Sequence, residues 1–222
     1  MTFPFPTFVP AAASRIRARD RALGAMPTLA TSHALPLPDH QVGDLLLMFV
    51  SGGSTAGART ITTPSGWTQL YNIVGTNSLR RGACFYRTAA TSGSGLTETV
   101  TFSGTVYAAS IVYSIENWQG TPEAATAAAV ASTTVDPPSL SPSWGNSRAL
   151  FFAPAHSYNT ATVSAYPSAP YGDSVQVADA SISQSKMALA VADVTASSSD
   201  PSAYTFSSST NLIGATVAVR SI

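Results

Sequence analysis

Gly43-Asp44-Leu45-Leu46-Leu47-Met48-Phe49-Val50 is a continuous apolar run of strand length, entered through Gly-Asp and left through Ser51-Gly52-Gly53. A strand that is apolar at every position, not at every second one, is buried on both faces. The same shape returns as Arg148-Ala149-Leu150-Phe151-Phe152-Ala153, closed by Pro154. Two such strands predict a β-protein with two equivalent halves.

Outward from this run the chain reads as short strands and turns. Leu35 to Leu37, Gly82 to Thr88, Thr97 to Ser103 and Tyr107 to Trp118 carry aromatic and β-branched residues between turn signals. Gly120 to Ala131 is alanine-rich and reads as a linker or a short helix. The second half then repeats the order at an offset of roughly 103 positions, a spacing that signals internal duplication. Leu47-Met48-Phe49 corresponds to Leu150-Phe151-Phe152, and Pro64-Ser65 to Pro167-Ser168, with Tyr171 near the place of Trp67. Ala83 to Tyr86 corresponds to Lys186 to Leu189, Val100 to Phe102 to Tyr204 to Phe206, and Ser110 to Val112 loosely to Ala215 to Val217.

About five short strands per half do not bury both faces of a sheet alone. The expected fold is therefore all-β: one antiparallel sandwich, jelly-roll-like, over residues 28–222, with repeat one at 28–121 and a degenerate repeat two at 122–222. Two small barrels in tandem are the alternative, with 120–138 as the only candidate linker.

Residues 1–27 form an extended N-terminal arm. Phe3, Phe5 and Phe8 alternate with Pro4, Pro6 and Pro10, which excludes a helix there and leaves three aromatic rings seeking a groove. Arg15, Arg17, Arg19 and Arg21 follow, with Asp20 as the only acid among the first thirty residues. Ser14 to Gly24 fits a short helix capped by Ser14 or, through its period-two arginines, a strand; the strand is favoured. The formal net charge is zero, so this basic segment stands against a mildly acidic remainder and could dock on an acidic neighbour.

Only 10% of residues are charged, against roughly 25% in an ordinary globular chain. Hydroxyls and turns carry the surface instead, as in many β-sandwiches of extracellular or virion proteins. Neither a basic stripe for nucleic acid nor an apolar run approaching the ~20 residues of a membrane helix is present. The opening residues do not read as a signal peptide. Cys84 sits in an apolar run and reads as a buried thiol.

Catalytic patterns are missing. His33, His40 and His156 lie outside any H-E-x-x-H or acid–histidine pairing, so neither a metal site nor a cofactor is expected. Ser92-Gly93-Ser94-Gly95 is a hairpin loop, not a nucleophile elbow. Glu116 beside Trp118 is the one acid–indole pair, and it reads more simply as a strand end next to a packed ring. Tyr158, Tyr166 and Tyr171 fall in a loop-rich stretch and are the candidates for stacking on sugar.

The order Gly-Asp-Leu-Leu-Leu, Pro64-Ser-Gly-Trp-Thr, Phe85-Tyr86-Arg87-Thr88-Ala89, Glu98-Thr-Val-Thr-Phe-Ser and the strand running to Trp118-Gln-Gly resembles structural proteins of tailed bacteriophages and related gene-transfer particles. In that family such domains serve as sandwiches of tail fibres, head fibres or decoration proteins. The resemblance spans Leu35 to Gly120 well and the second half weakly. It implies a non-enzymatic virion component, assembled in the host cytoplasm and exposed on the particle. Its partners would be other virion proteins and its own copies. Attachment falls to the arm, through Phe3, Phe5, Phe8, Arg15, Arg17, Arg19 and Arg21. The alternative expectation is a receptor-binding module that recognises host surface glycan through Tyr158, Tyr166 and Tyr171.

Overall fold

A computed structural model describes residues 15–54, 57, 59–75, 80–157, 161–178 and 185–222, without the side chains of 128–130. Among them there is no helix, and every strand pairing is antiparallel. The first half supplies β1 (Arg17–Pro36), β2 (Leu45–Gly53), β3 (Thr68–Val74), β4 (Arg80–Thr88) and β5 (Thr97–Glu116). The second supplies β6 (Trp118–Val135), β7 (Ser147–Ser157), β8 (Val163–Ala165), β9 (Gly172–Ala178), β10 (Lys186–Ala196) and β11 (Tyr204–Ser221).

One sheet runs β1-β5-β2-β4-β3 and the other β6-β11-β7-β10-β9, with the short β8 added beside β11. Strand for strand, with β8 set aside, the two orders are the same. The sheets stack face to face with exchanged edges: β1 lies against β9, and β3 against β6. Each sheet is completed by one contiguous half of the chain, so the strand order departs from a jelly-roll-like path that shares strands between sheets.

All nine residues of β2 are buried. Side chains alternate across a strand, so Leu45, Leu47 and Phe49 enter a core shared by both sheets, while Leu46, Met48 and Val50 enter a second core outside the first sheet. β7 divides the same way, with Leu150 and Phe152 inward and Ala149, Phe151 and Ala153 in a third core outside the second sheet. Phe49 and Phe152 meet across the middle at 5.9 Å between ring centroids, and Tyr113 stands edge-on to Phe152 at 5.1 Å.

The outer cores exist because the long strands bend. The β1–β5 ladder slips register between Met26 and Ser32, and bulges of this kind kink a strand and increase its twist. β5 then curls back over β2. The Phe102 ring lies so close to Gly52 that a Cβ there would stand 2.6 Å from it, which is why a glycine closes this buried strand. The β6–β11 ladder slips in the corresponding region, between Thr205 and Leu212, and brings Tyr204 and Phe206 into the third core.

Three expectations change. Residues 17–27 are not part of an arm: β1 starts at Arg17 and pairs with β5 from Glu116 onward. The alanine-rich segment is neither linker nor helix but most of the edge strand β6, whose ladder to β11 overrides alanine's helical preference. The halves therefore meet at Asn117, not near residue 121. Asn117 takes a left-handed conformation (φ 58°) that asparagine tolerates. The proposed repeat alignment fits β2 and β7 but slips elsewhere. Phe49 pairs with Cys84 and Ile111, while Phe152 pairs with Val191 and Val217. The position equivalent to Cys84 is thus Val191, four residues beyond Met187.

Candidate functional site

The start of β1, the junction at Asn117 and the last strand converge at one corner. Asn117 donates from its side chain to the Arg15 carbonyl at 2.8 Å, and its own carbonyl accepts from the Ile222 amide at 3.1 Å. The Ile16 amide reaches Ser221 Oγ at 3.3 Å while the Ile16 side chain is buried in the shared core. Trp118 donates its indole N–H to the Gly43 carbonyl at 2.9 Å. Residues 1–14 join the fold at this knot.

Three of its four arginines are paired with carboxylates of the chain. Arg17 pairs with Glu116, its cross-strand partner. Arg19 bridges Glu116 and Asp44, with Nε 2.7 Å from Asp44 Oδ2. Asp44 also accepts the Gln41 amide at 2.8 Å, so the Gly-Asp lead-in is a turn cap and the buried anchor of Arg19 at once. Arg21 crosses to the other sheet and meets Asp173 on β9 at 2.6 Å. The solvent-exposed Arg17 and Arg21 pairs contribute about 0–1 kcal/mol each, so they fix geometry more than they add stability, while the Arg19 pair is anchored on the buried Asp44 carboxylate. Arg15, exposed, is the one of the four with no carboxylate partner among the described residues. With Arg17, Glu116 and Asn117 it lines a shallow depression. The Glu116–Trp118 pair is consumed by these same structural contacts.

Phe3, Phe5, Phe8 and Tyr158 lie outside the described residues. Tyr166 and Tyr171 are described, and they do not form an exposed stacking platform. Tyr171 is buried, hydrogen-bonded through its hydroxyl to Ser199 Oγ at 2.8 Å, and burial pushes its pKa up to about 12. Its amide closes a four-residue turn onto the Ser168 carbonyl, as that of Trp67 does onto Pro64, although the backbones differ: the first turn contains a cis Ala169–Pro170 bond and the second has Gly66 at φ 76°. Both rings fill outer cores. Tyr166 is half-buried, edge-on to Tyr204 at 5.7 Å.

The sequence reading missed a polar seam inside the shared layer. Arg80 at the start of β4 is fully buried, and its Nη1 reaches Ser51 Oγ and Ser185 Oγ, each at 3.2 Å. His156 on β7 lies 3.1 Å through Nε2 from the Tyr71 hydroxyl, and its Nδ1 has no hydrogen-bond partner among the described residues. Burial first, then the Arg80 charge, lowers the His156 pKa to about 3. A histidine directly after the apolar run Ala149 to Ala155 of β7 was the available signal. The one hydrogen bond His156 makes among the described residues is to the Tyr71 hydroxyl, so no described carboxylate orients the imidazole as in an acid–histidine–nucleophile relay. Cys84 is a buried thiol whose pKa burial raises well above its ordinary value, which leaves it inert. No group of three or more His, Cys, Asp or Glu capable of holding a metal occurs among the described residues.

No protein-family model matches the chain, and no curated protein or solved structure matches it.

Proposed function

We propose that this chain is a non-enzymatic structural protein of a tailed-phage or related particle. It acts as a surface decoration, fibre or tail component held to a capsid or tail neighbour through residues 1–14 and presented in several copies. One observation carries the reading. Arg17, Arg19 and Arg21, the charges that had looked free for docking, are neutralised by Glu116, Asp44 and Asp173 within the chain. Attachment therefore falls to the Phe-Pro segment that precedes this corner, helped by Arg15. Three phenylalanines spaced by prolines suit such docking, since proline restricts the backbone and leaves less conformational freedom to lose on binding. The hydroxyl-rich, weakly charged surface and the resemblance across Leu35 to Gly120 support the particle context.

The test is a variant lacking residues 1–14, expressed during particle assembly. It is expected to fold, since β1 is untouched, and to be missing from purified particles. Incorporation at the level of the full chain would contradict the proposal. The alternative, glycan recognition through Tyr158, Tyr166 and Tyr171, is less favoured: Tyr171 is buried in the third core and Tyr166 packs half-buried against it, while Tyr158 lies outside the described residues.

A further inference from the structure

We propose that the depression lined by His40, Gly66 and Arg87 to Thr91, at one end of the first sheet, binds the hydroxyl groups of a neutral sugar ring. This inference does not rest on the particle reading. The depression measures about 280 Å³, at the small end of ligand sites and suited to one ring of a larger glycan. Its walls come from the loop before β2, the loop before β3 and the end of β4, so rigid strands hold it.

The polar groups are preset. The Arg87 guanidinium stacks on Trp67, 4.6 Å from the ring centroid, and its Nη1 is 3.0 Å from Glu98 Oε2. The same oxygen accepts the Trp67 indole N–H at 2.9 Å. Stack and carboxylate together hold the guanidinium in place, so its remaining N–H groups face a ligand with little rotamer entropy left to lose. His40 is only 4% exposed yet lines the depression. Its Nδ1 lies 2.8 Å from the Pro38 carbonyl, and a carbonyl can only accept, so Nδ1 carries the hydrogen and Nε2 of the neutral ring is an acceptor. Nε2 has no hydrogen-bond partner among the described residues. Gly93 packs against this edge of the ring, where any larger residue would clash: a Cβ there would lie 2.9 Å from Cε1 and 3.1 Å from Nε2.

Charge selects the ligand class. Glu98 offsets Arg87, and no other charged side chain lines the depression. An anion would therefore find no net attraction. A hydroxyl suits the pair, since it accepts from Arg87 while donating to His40 Nε2. Exposed Thr88 and Thr91 add hydroxyls to the polar rim, and exposed Ala90 adds a small apolar surface, whereas the Ala89 side chain is buried in the second core.

The experiment is amide and arginine-side-chain NMR of the full chain with glucose, galactose, mannose and N-acetylglucosamine, up to tens of millimolar, and separately with sodium phosphate. At least one sugar is expected to shift the Ala89, Ala90 and Thr91 amides and the Arg87 Nε–H, while phosphate does not. His40→Asn keeps a donor for the Pro38 carbonyl but removes the acceptor, and should weaken binding roughly tenfold, one hydrogen bond's worth. Ala90→Trp at the exposed rim should abolish binding with the melting temperature unchanged, which keeps the test valid if His40→Asn fails to fold. No shift with any of the four sugars, shifts with phosphate alone, or sugar binding that survives Ala90→Trp would each overturn the proposal.

Discussion

His156 illustrates how a single side chain in this fold carries a measurable consequence. The unfolded chain takes up a proton on this residue near 6.5, whereas the folded chain resists it down to about 3. Protonation therefore favours unfolding. The stabilisation from keeping the ring neutral is complete above the unfolded value and is lost as pH falls through the window between the two. Stability should drop by up to about 1.4 kcal/mol per pH unit below 6.5 on this account alone. Denaturant melts at pH 7, 6 and 5 should show that slope shrinking by about this amount in His156→Gln; an unchanged slope would remove His156 as the cause. At this scale legibility divided by chemistry. Cys84 read correctly because it stands in a local apolar pattern that already fixes its burial. Tyr171 did not, because its burial depends on β11 folding back over the sheet, a long-range event that composition does not record. Arg80 escaped notice for the same reason: a charged residue at a strand start reads as exposed until a second sheet covers it.

Among the elements, β1 and β6 separate local from non-local information. The alternating arginines favoured a strand for residues 14–24, and β1 runs there. That strand's membership of the sheet depended on its ladder to β5, about a hundred positions away, so the boundary of the arm was placed too late. A truncation removing residues 1–24 would strip Ile16 from the shared core together with the Arg17, Arg19 and Arg21 ion pairs. It should lower the melting temperature by roughly 10 °C, the equivalent of a few kcal/mol in a chain of this size, whereas removal of 1–14 should leave it nearly unchanged. Calorimetry of both decides it; equal stability would mean that the first half of β1 does not belong to the cooperative fold. β6 misled because alanine is the best helix former and a weak strand former. Its conformation is set by its partner β11, not by its own residues.

Over the whole molecule, the two buried runs around Phe49 and Phe152 announced the arrangement, since strands apolar on both faces need cover on both sides. The order of strands in the second half was also legible. Register and loop length were not, because bulges and the additional β8 shift the offset from place to place. The shared core has a thermodynamic corollary: neither sheet keeps its inner face covered if the other unfolds. Heating should give one cooperative transition, and Phe152→Ala should shift it as a whole, with a cost of about 3–5 kcal/mol. Two resolved transitions would show the halves to be independent.

The central functional claim is placement on a particle through residues 1–14. Electron microscopy of purified particles labelled with an antibody against the sandwich tests it most directly. Regular label on the head or tail surface is expected when the full chain is present, and bare particles when residues 1–14 are removed. Particles that remain unlabelled with the full chain, or equally labelled without the segment, would contradict it.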